Sequence, residues 1–244
     1  MKTILIELNE INFDYIKSYI ERSSKLDSFA TLFDQGLIST TSEKDYDNLE
    51  PWIQWPSIHT GKIFSEHRIF RLGDSVNSEI PQIFEKLEKR GLRVGAISPM
   101  NARNNLKNPT YFIPDPWTQT PTDGSFFSVN LDEALKQSVN DNAKSKLKFK
   151  TILQLIYVIL SLGPSEVISL FLFLLTIPKY PWRKSLFLDL LIHKVHLKLL
   201  KKHSPDFSTV FFNSGAHIQH YFFFNSDLVL EDNNPKWYLD SKKD

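Results

Sequence analysis

The sequence predicts an α/β protein, with a mainly parallel central sheet flanked by helices. Three observations carry this reading. The chain opens as strand, polar turn and helix: Thr3–Leu8 is rich in β-formers, Asn9-Glu10 breaks the run, and Phe13, Ile16 and Ile20 recur at helical spacing. Within residues 78–97 a helix, a glycine and a strand follow one another, the return half of a βαβ unit. Later, the apolar run 209–212 stops at Asn213-Ser214-Gly215 and gives way to Ala216-His217-Ile218-Gln219-His220. That pattern reads as a buried strand, a tight turn and the first turn of a helix.

Composition bounds the remaining choices. A chain of 244 residues, 41% hydrophobic and 23% charged, has the means to bury a substantial core in one large domain or two small ones. A net charge of +1 gives no ground for a nucleic-acid partner. With no cysteine, disulfides, thiolate zinc sites and cysteine nucleophiles are excluded, which fits a cytoplasmic protein. The opening apolar run is too short for a signal peptide. The 19 phenylalanines point to a well-filled core with some apolar surface.

In chain order, Thr3–Leu8 reads as a central strand buried on both faces. Residues 26–33 form a short helical pattern closed by Gly36, and 37–41 a second strand leading into polar residues 42–49. Two prolines and two tryptophans crowd residues 50–61 and specify a rigid local structure. Pro56 suits the first turn of a short helix and Gly61 its C-cap. Residues 78–90 read as an amphipathic helix, with Ile80, Ile83, Phe84 and Leu87 on one face and Lys86, Glu88 and Lys89 on the other; Gly91 ends it and 92–97 is a strand. A polar turn follows at 98–105, then a short extended piece, Tyr111–Ile113, and a Pro/Thr/Asp loop over 115–125.

From Leu131 the character changes, and residues 131–202 read as a helical insertion or cap on an incomplete α/β core made of 1–130 and 203–244. Residues 131–139 are helical. Residues 151–162 and 166–177 are two apolar stretches split by Gly163-Pro164, each well short of the about 20 residues that span a bilayer. A helical hairpin that packs on the core or covers the site is expected, with peripheral membrane contact through 151–177 as the sharper alternative. Residues 185–202 form a long helix on which His193 and His196, beside Lys194 and Lys198, read as a solvated face. Beyond Phe224 the chain is polar, without a strand pattern.

His217 and His220 share one helical face at the C-terminal end of a strand, where open α/β sheets place ligands and metals. The competing role is that one caps backbone groups and the other belongs to the core. Three segments, 5–15, 51–70 and 209–224, together resemble the alkaline phosphatase superfamily in its type I phosphodiesterase/nucleotide pyrophosphatase-like branch. Leu8-Asn9-Glu10 stands at the turn where that family places a metal-binding Asp. Trp55-Pro56-Ser57-Ile58-His59-Thr60-Gly61, followed after five residues by His67, reproduces the family's Trp-x-Ser-x-x-Thr-Gly spacing. Ala216 and His220 overlay its Asp-x-x-x-His.

The resemblance implies an alkaline-phosphatase-like core and a metal-dependent hydrolase or transferase acting on small phosphate or sulfate esters. It also implies a divalent metal, zinc or manganese, held by Asn9, Glu10, His217 and His220. Ser57 and Thr60 become the candidate catalytic hydroxyls, with helix-backbone bonding as their competing role. Trp52, Trp55, His59 and His67 become pocket residues. The departures are as informative: the family's nucleophile position falls on Pro51, its metal Asp positions on Asn9 and Ala216, and no Asp-His dipeptide occurs. Two expectations result. One is the N-terminal part of a longer enzyme, inactive or impaired alone; the other is a non-catalytic homologue that keeps the fold as a binding or scaffolding protein.

Overall fold

The computed structural model describes residues 2–22, 26–35, 43–140 and 147–222. The expected cap at Gly36, the strand over 37–41 and the polar tail beyond Phe224 lie outside the described residues. In chain order the elements are β1 (Thr3–Leu8), α1 (Phe13–Arg22), α2 (Asp27–Asp34), α3 (Pro51–Thr60), α4 (Phe64–His67) and α5 (Ile83–Glu88). There follow β2 (Val94–Ile97), β3 (Tyr111–Ile113), α6 (Phe126–Asn140), α7 (Phe149–Leu160), α8 (Pro164–Leu174), α9 (Arg183–His203), β4 (Phe207–Phe212) and α10 (Ser214–Phe222). The four strands form one parallel sheet in the order β1-β4-β2-β3, flanked by helices, as the sequence predicts.

Strand periodicity sorts the sheet into two faces. The register Ile4↔Ser208, Gly95↔Ser208 and Gly95↔Tyr111 puts Ser208, Val210, Ile97, Tyr111 and Ile113 on one face. There they join Leu131, Leu135, Val158, Leu170, Leu191 and Val195 from α6–α9 in the larger core. Leu5, Phe207, Ala96, Val94 and Phe112 line the other face and pack on Phe84 of α5 in the smaller core. Gly95 is small for a reason: a Cβ there would lie 2.3 Å from the Tyr111 ring, which covers it.

Several boundaries differ from the sequence reading. β1 is the edge of the described sheet instead of a strand buried on both faces: Ile4 and Ile6, facing the larger core's side, are 51% and 59% exposed, while α9, among the described helices of that layer, packs on β4. α3 begins at Pro51 and carries Pro56 inside it, whereas Gly61 closes it in the left-handed region (φ 69°) as expected. Pro tolerates the first helical position because its missing N–H has no helical acceptor there. The helix expected over 78–90 shrinks to α5, since Pro81 disfavours helical geometry at Ile80 and the Gln82/Glu85 capping box fixes a later start. The solvated His193/His196 face is half right: His193 is exposed, but His196 is 3% exposed. No helix among the described residues is long and apolar enough to cross a membrane.

Candidate functional site

β1 and β4 end side by side at the top of the sheet, and the turns that leave them are stitched together by side chains. After β1, the Asn9 N–H donates to Phe212 O (3.0 Å). The Asn9 amide accepts from the Trp55 indole N–H at Oδ1 (2.9 Å) and donates through Nδ2 to Asn213 Oδ1 (2.9 Å). Asn9 therefore ties β1 and β4 to α3. Glu10 takes a left-handed conformation (φ 54°) that turns its carboxylate toward α10, where it meets His220 Nε2. The Gln219 amide donates to Glu10 O (2.7 Å). α10 comes this close because Gly215 lacks a side chain: a Cβ would stand 2.5 Å from Ile11 Cδ1.

A cavity of about 600 Å³ opens beyond the ends of β2 and β4, between α6, α9 and α10. Ser98, Phe211 and Asn213 from the strand ends and Trp117 from the loop after β3 form part of its lining, with Leu188 of α9 beside them. Lys184, Asp189, His217 and Tyr221 are the ionisable residues in its lining. Asp189 accepts the Ser214 N–H (2.7 Å) and the Asn213 N–H (3.3 Å), satisfying donors that the start of α10 leaves unpaired. Burial nonetheless raises its pKa, outweighing those bonds. Burial lowers the pKa of His217, helped by the positive charge of its neighbours His220 and Lys184, so its imidazole is neutral at pH 7. The Tyr221 ring lies 4.7 Å away. Asp115 holds the Trp117 wall in place: it is fully buried and accepts the backbone N–H groups of Asn101, Trp117 and Thr118.

The other residues singled out by the sequence lie on α3 and α4 and line neither this cavity nor the second one under β3. The Ser57 hydroxyl contacts Ile53 O (3.2 Å) and His67 Nε2 (2.9 Å). His67 Nδ1 accepts the Ile69 N–H (3.0 Å), so the ring proton sits on Nε2 and is donated to Ser57; in this tautomer His67 is no base toward Ser57. Thr60 donates to Pro56 O (2.7 Å). Both hydroxyls thus serve the helix backbone. His59 is buried beside Glu7 Oε2 (3.2 Å) and Phe84, and Trp52 is half-buried with its carbonyl accepting the Asn101 amide (2.7 Å). Trp55 packs edge-on to Phe211.

Of the four expected metal ligands, the structure brings Glu10 and His220 into contact and places His217 one turn earlier on α10, turned to the cavity. Asn9 is bound on both amide atoms by protein groups. Among the described residues no group of three or more His, Asp or Glu side chains is placed to hold a metal ion.

Sequence reasoning missed Asp189, Ser98 and Trp117. Asp189 left a signal, being the one acidic residue of the 21-residue α9. An isolated carboxylate on an apolar and basic helix has to find donors. The chain matches no protein-family model, no curated protein and no solved structure.

Proposed function

We propose that the protein binds a small phosphate or sulfate ester in the cavity beyond β2 and β4, and does so as a binding protein in place of a hydrolase. The observation that carries this is the cavity itself, at the C-terminal edge of a parallel sheet, where open α/β folds receive ligands. Lys184 and His217 offer the ester's anionic end a charge and a hydrogen bond, while Trp117, Phe211 and Leu188 face its organic part. The hydroxyls of Ser57 and Thr60 are engaged by the helix, and the position where a nucleophile would be expected is Pro51. These features support binding without turnover. The same reading places the protein in the cytoplasm, which the lack of cysteine supports.

Isothermal titration with p-nitrophenyl phosphate tests it. Saturable binding is expected, weakened about tenfold by Lys184→Ala, with no nitrophenol released. Absence of binding, or binding indifferent to both Lys184→Ala and Trp117→Ala, overturns the proposal. The contact between Glu10 and His220 favours a second reading, in which these two and His217 hold zinc or manganese for ester hydrolysis. Zinc bound at about one equivalent, lost in His220→Ala and accompanied by nitrophenol release, would select it.

A further inference from the structure

α7 and α8 are built inside out for helices that face water. On α7 the polar Thr151 and Gln154 are buried, Gln154 donating to the Glu133 carboxylate of α6 (2.6 Å). Meanwhile Phe149, Leu153 and Leu160 on α7, and Phe171, Leu172 and Leu175 on and just after α8, are each half or more exposed. A helix covering a core against water shows the reverse pattern, and contiguous apolar surface of this kind marks an interaction site.

Charge identifies what covers it. Residues 147–203 hold nine basic and two acidic residues, in a chain with 29 basic and 28 acidic, so the helical side is strongly positive and the remainder negative. The basic groups stand at both ends of the apolar face. At one end the Lys148 N–H donates to Gln137 (3.2 Å) and Lys150 pairs with Glu133 (2.6 Å). Beyond α8, Lys179 and Arg183 gather on aromatic rings, the Arg183 guanidinium lying 4.3 Å from the Tyr180 centroid and 5.0 Å from that of Trp182. At the hairpin turn, Lys198 donates to Ser161 O (2.6 Å), and Lys194 and Lys201 lie within electrostatic range of Glu166. Basic residues mixed with Tyr and Trp at the border of an apolar surface are the pattern of the headgroup layer of a bilayer.

We propose that α7 and α8 dock on an anionic lipid bilayer, lying in its plane with their apolar residues in the headgroup–acyl boundary and the basic residues among the headgroups. The 12 residues of α7 give a helix of about 18 Å, against a hydrocarbon layer of about 30 Å, so the hairpin lies on the membrane and does not cross it. Lys184, which follows Arg183 of the basic border in sequence, lines the cavity, so docking brings that end of the cavity toward the headgroups.

Flotation of the purified protein with vesicles of phosphatidylcholine alone, and with about 30 mol % phosphatidylserine mixed in, tests the proposal. The protein is expected to float with the mixed vesicles, more weakly with neutral ones, and to lose much of that difference in about 0.5 M salt. Leu153→Glu with Leu172→Glu changes two exposed side chains; it should leave the circular dichroism intact and reduce binding about tenfold or more. Lys179→Glu with Lys201→Glu should abolish the preference for phosphatidylserine. Failure to float with the mixed vesicles overturns the proposal, as does flotation that the Leu153/Leu172 pair leaves unchanged. A dimer seen by light scattering that this pair converts to monomer, without lipid binding by the parent, assigns the face to a second copy of the chain and overturns it as well.

Discussion

Ser208 and Thr209 are neighbours on β4, point to opposite faces of the sheet, and each belongs to a network with a buried histidine. Beneath Thr209 the network holds a carboxyl group: Glu7 accepts the Thr209 hydroxyl on one oxygen and faces His59 Nε2 with the other (3.2 Å). Among the described residues His59 Nδ1 is buried without a partner, so a proton there would have no acceptor, and the ring's proton sits on Nε2 toward Glu7. Above Ser208 the network is neutral: Tyr111 OH (2.6 Å) and His196 Nε2 (2.8 Å) both meet the Ser208 hydroxyl. Burial, with a smaller push from His193, drops the pKa of His196 to about 4, and burial lifts that of Tyr111 to about 12 against the bond from Ser208. Both histidines are hidden from water, yet only one answers to a carboxylate. A buried carboxylate is costly when its donor is lost, whereas a chain of neutral hydroxyls and imidazole is cheaper to break.

The largest expected effect follows from that asymmetry. Among the described residues, His59→Leu leaves the Glu7 carboxyl group only the Thr209 hydroxyl as side-chain partner, and it should cost about 3 kcal/mol or more in urea unfolding; adding Glu7→Gln should recover part of the loss. Equal losses from His59→Leu and His196→Leu would erase the distinction between the two networks.

Next in size is the acid limb. His196 has a folded pKa below its ordinary 6.5, so the stability tied to its neutral form is fully present above pH 6.5 and is lost as the pH falls toward 4. About 2–3 kcal/mol should disappear over that window and His196→Leu should flatten it, read as urea midpoints at pH 7 and pH 4.5. Asp115 acts in the opposite sense. Burial raises its pKa to about 6 despite four hydrogen bonds, so the folded state takes up its proton first and gains stability as the pH falls from 6 to 4. Asp115→Asn should therefore steepen the acid loss. The smallest effect is Tyr111→Phe, which removes one buried hydroxyl bond to Ser208 and should cost about 1 kcal/mol.

The elements that hold the sheet were legible because their signals are local. β2 and β4 are apolar runs bounded by Gly91 and by Asn213-Ser214-Gly215, and α9 announces itself by length and by basic residues in its last turn. What escaped depends on partners far along the chain. His196 reads as solvated until Ser208 and Tyr111 are placed beside it, and the start of α3 is hidden by a Trp/Pro-rich segment with no clean apolar face. The top of the site divides in the same way. His217 and Asn213 sit in a recognisable strand–turn–helix, and the pairing of Glu10 with His220 joins two turns the sequence already marks. Trp117, by contrast, is positioned by Asp115 in a loop without periodicity, and Asp189 finds its donors at the start of a helix 25 residues later.

Gly95 carries a consequence for how this sequence can drift. The Tyr111 ring fills the space where a side chain at 95 would go, and its hydroxyl is pinned to Ser208. Position 95 is therefore not free to vary on its own: an alanine there requires a smaller residue at 111, and that residue forfeits the bond that Ser208 and His196 were built around. The dependence runs one way: position 111 can change alone, but a side chain at 95 requires a change at 111, and a double-mutant cycle between them should be far from additive.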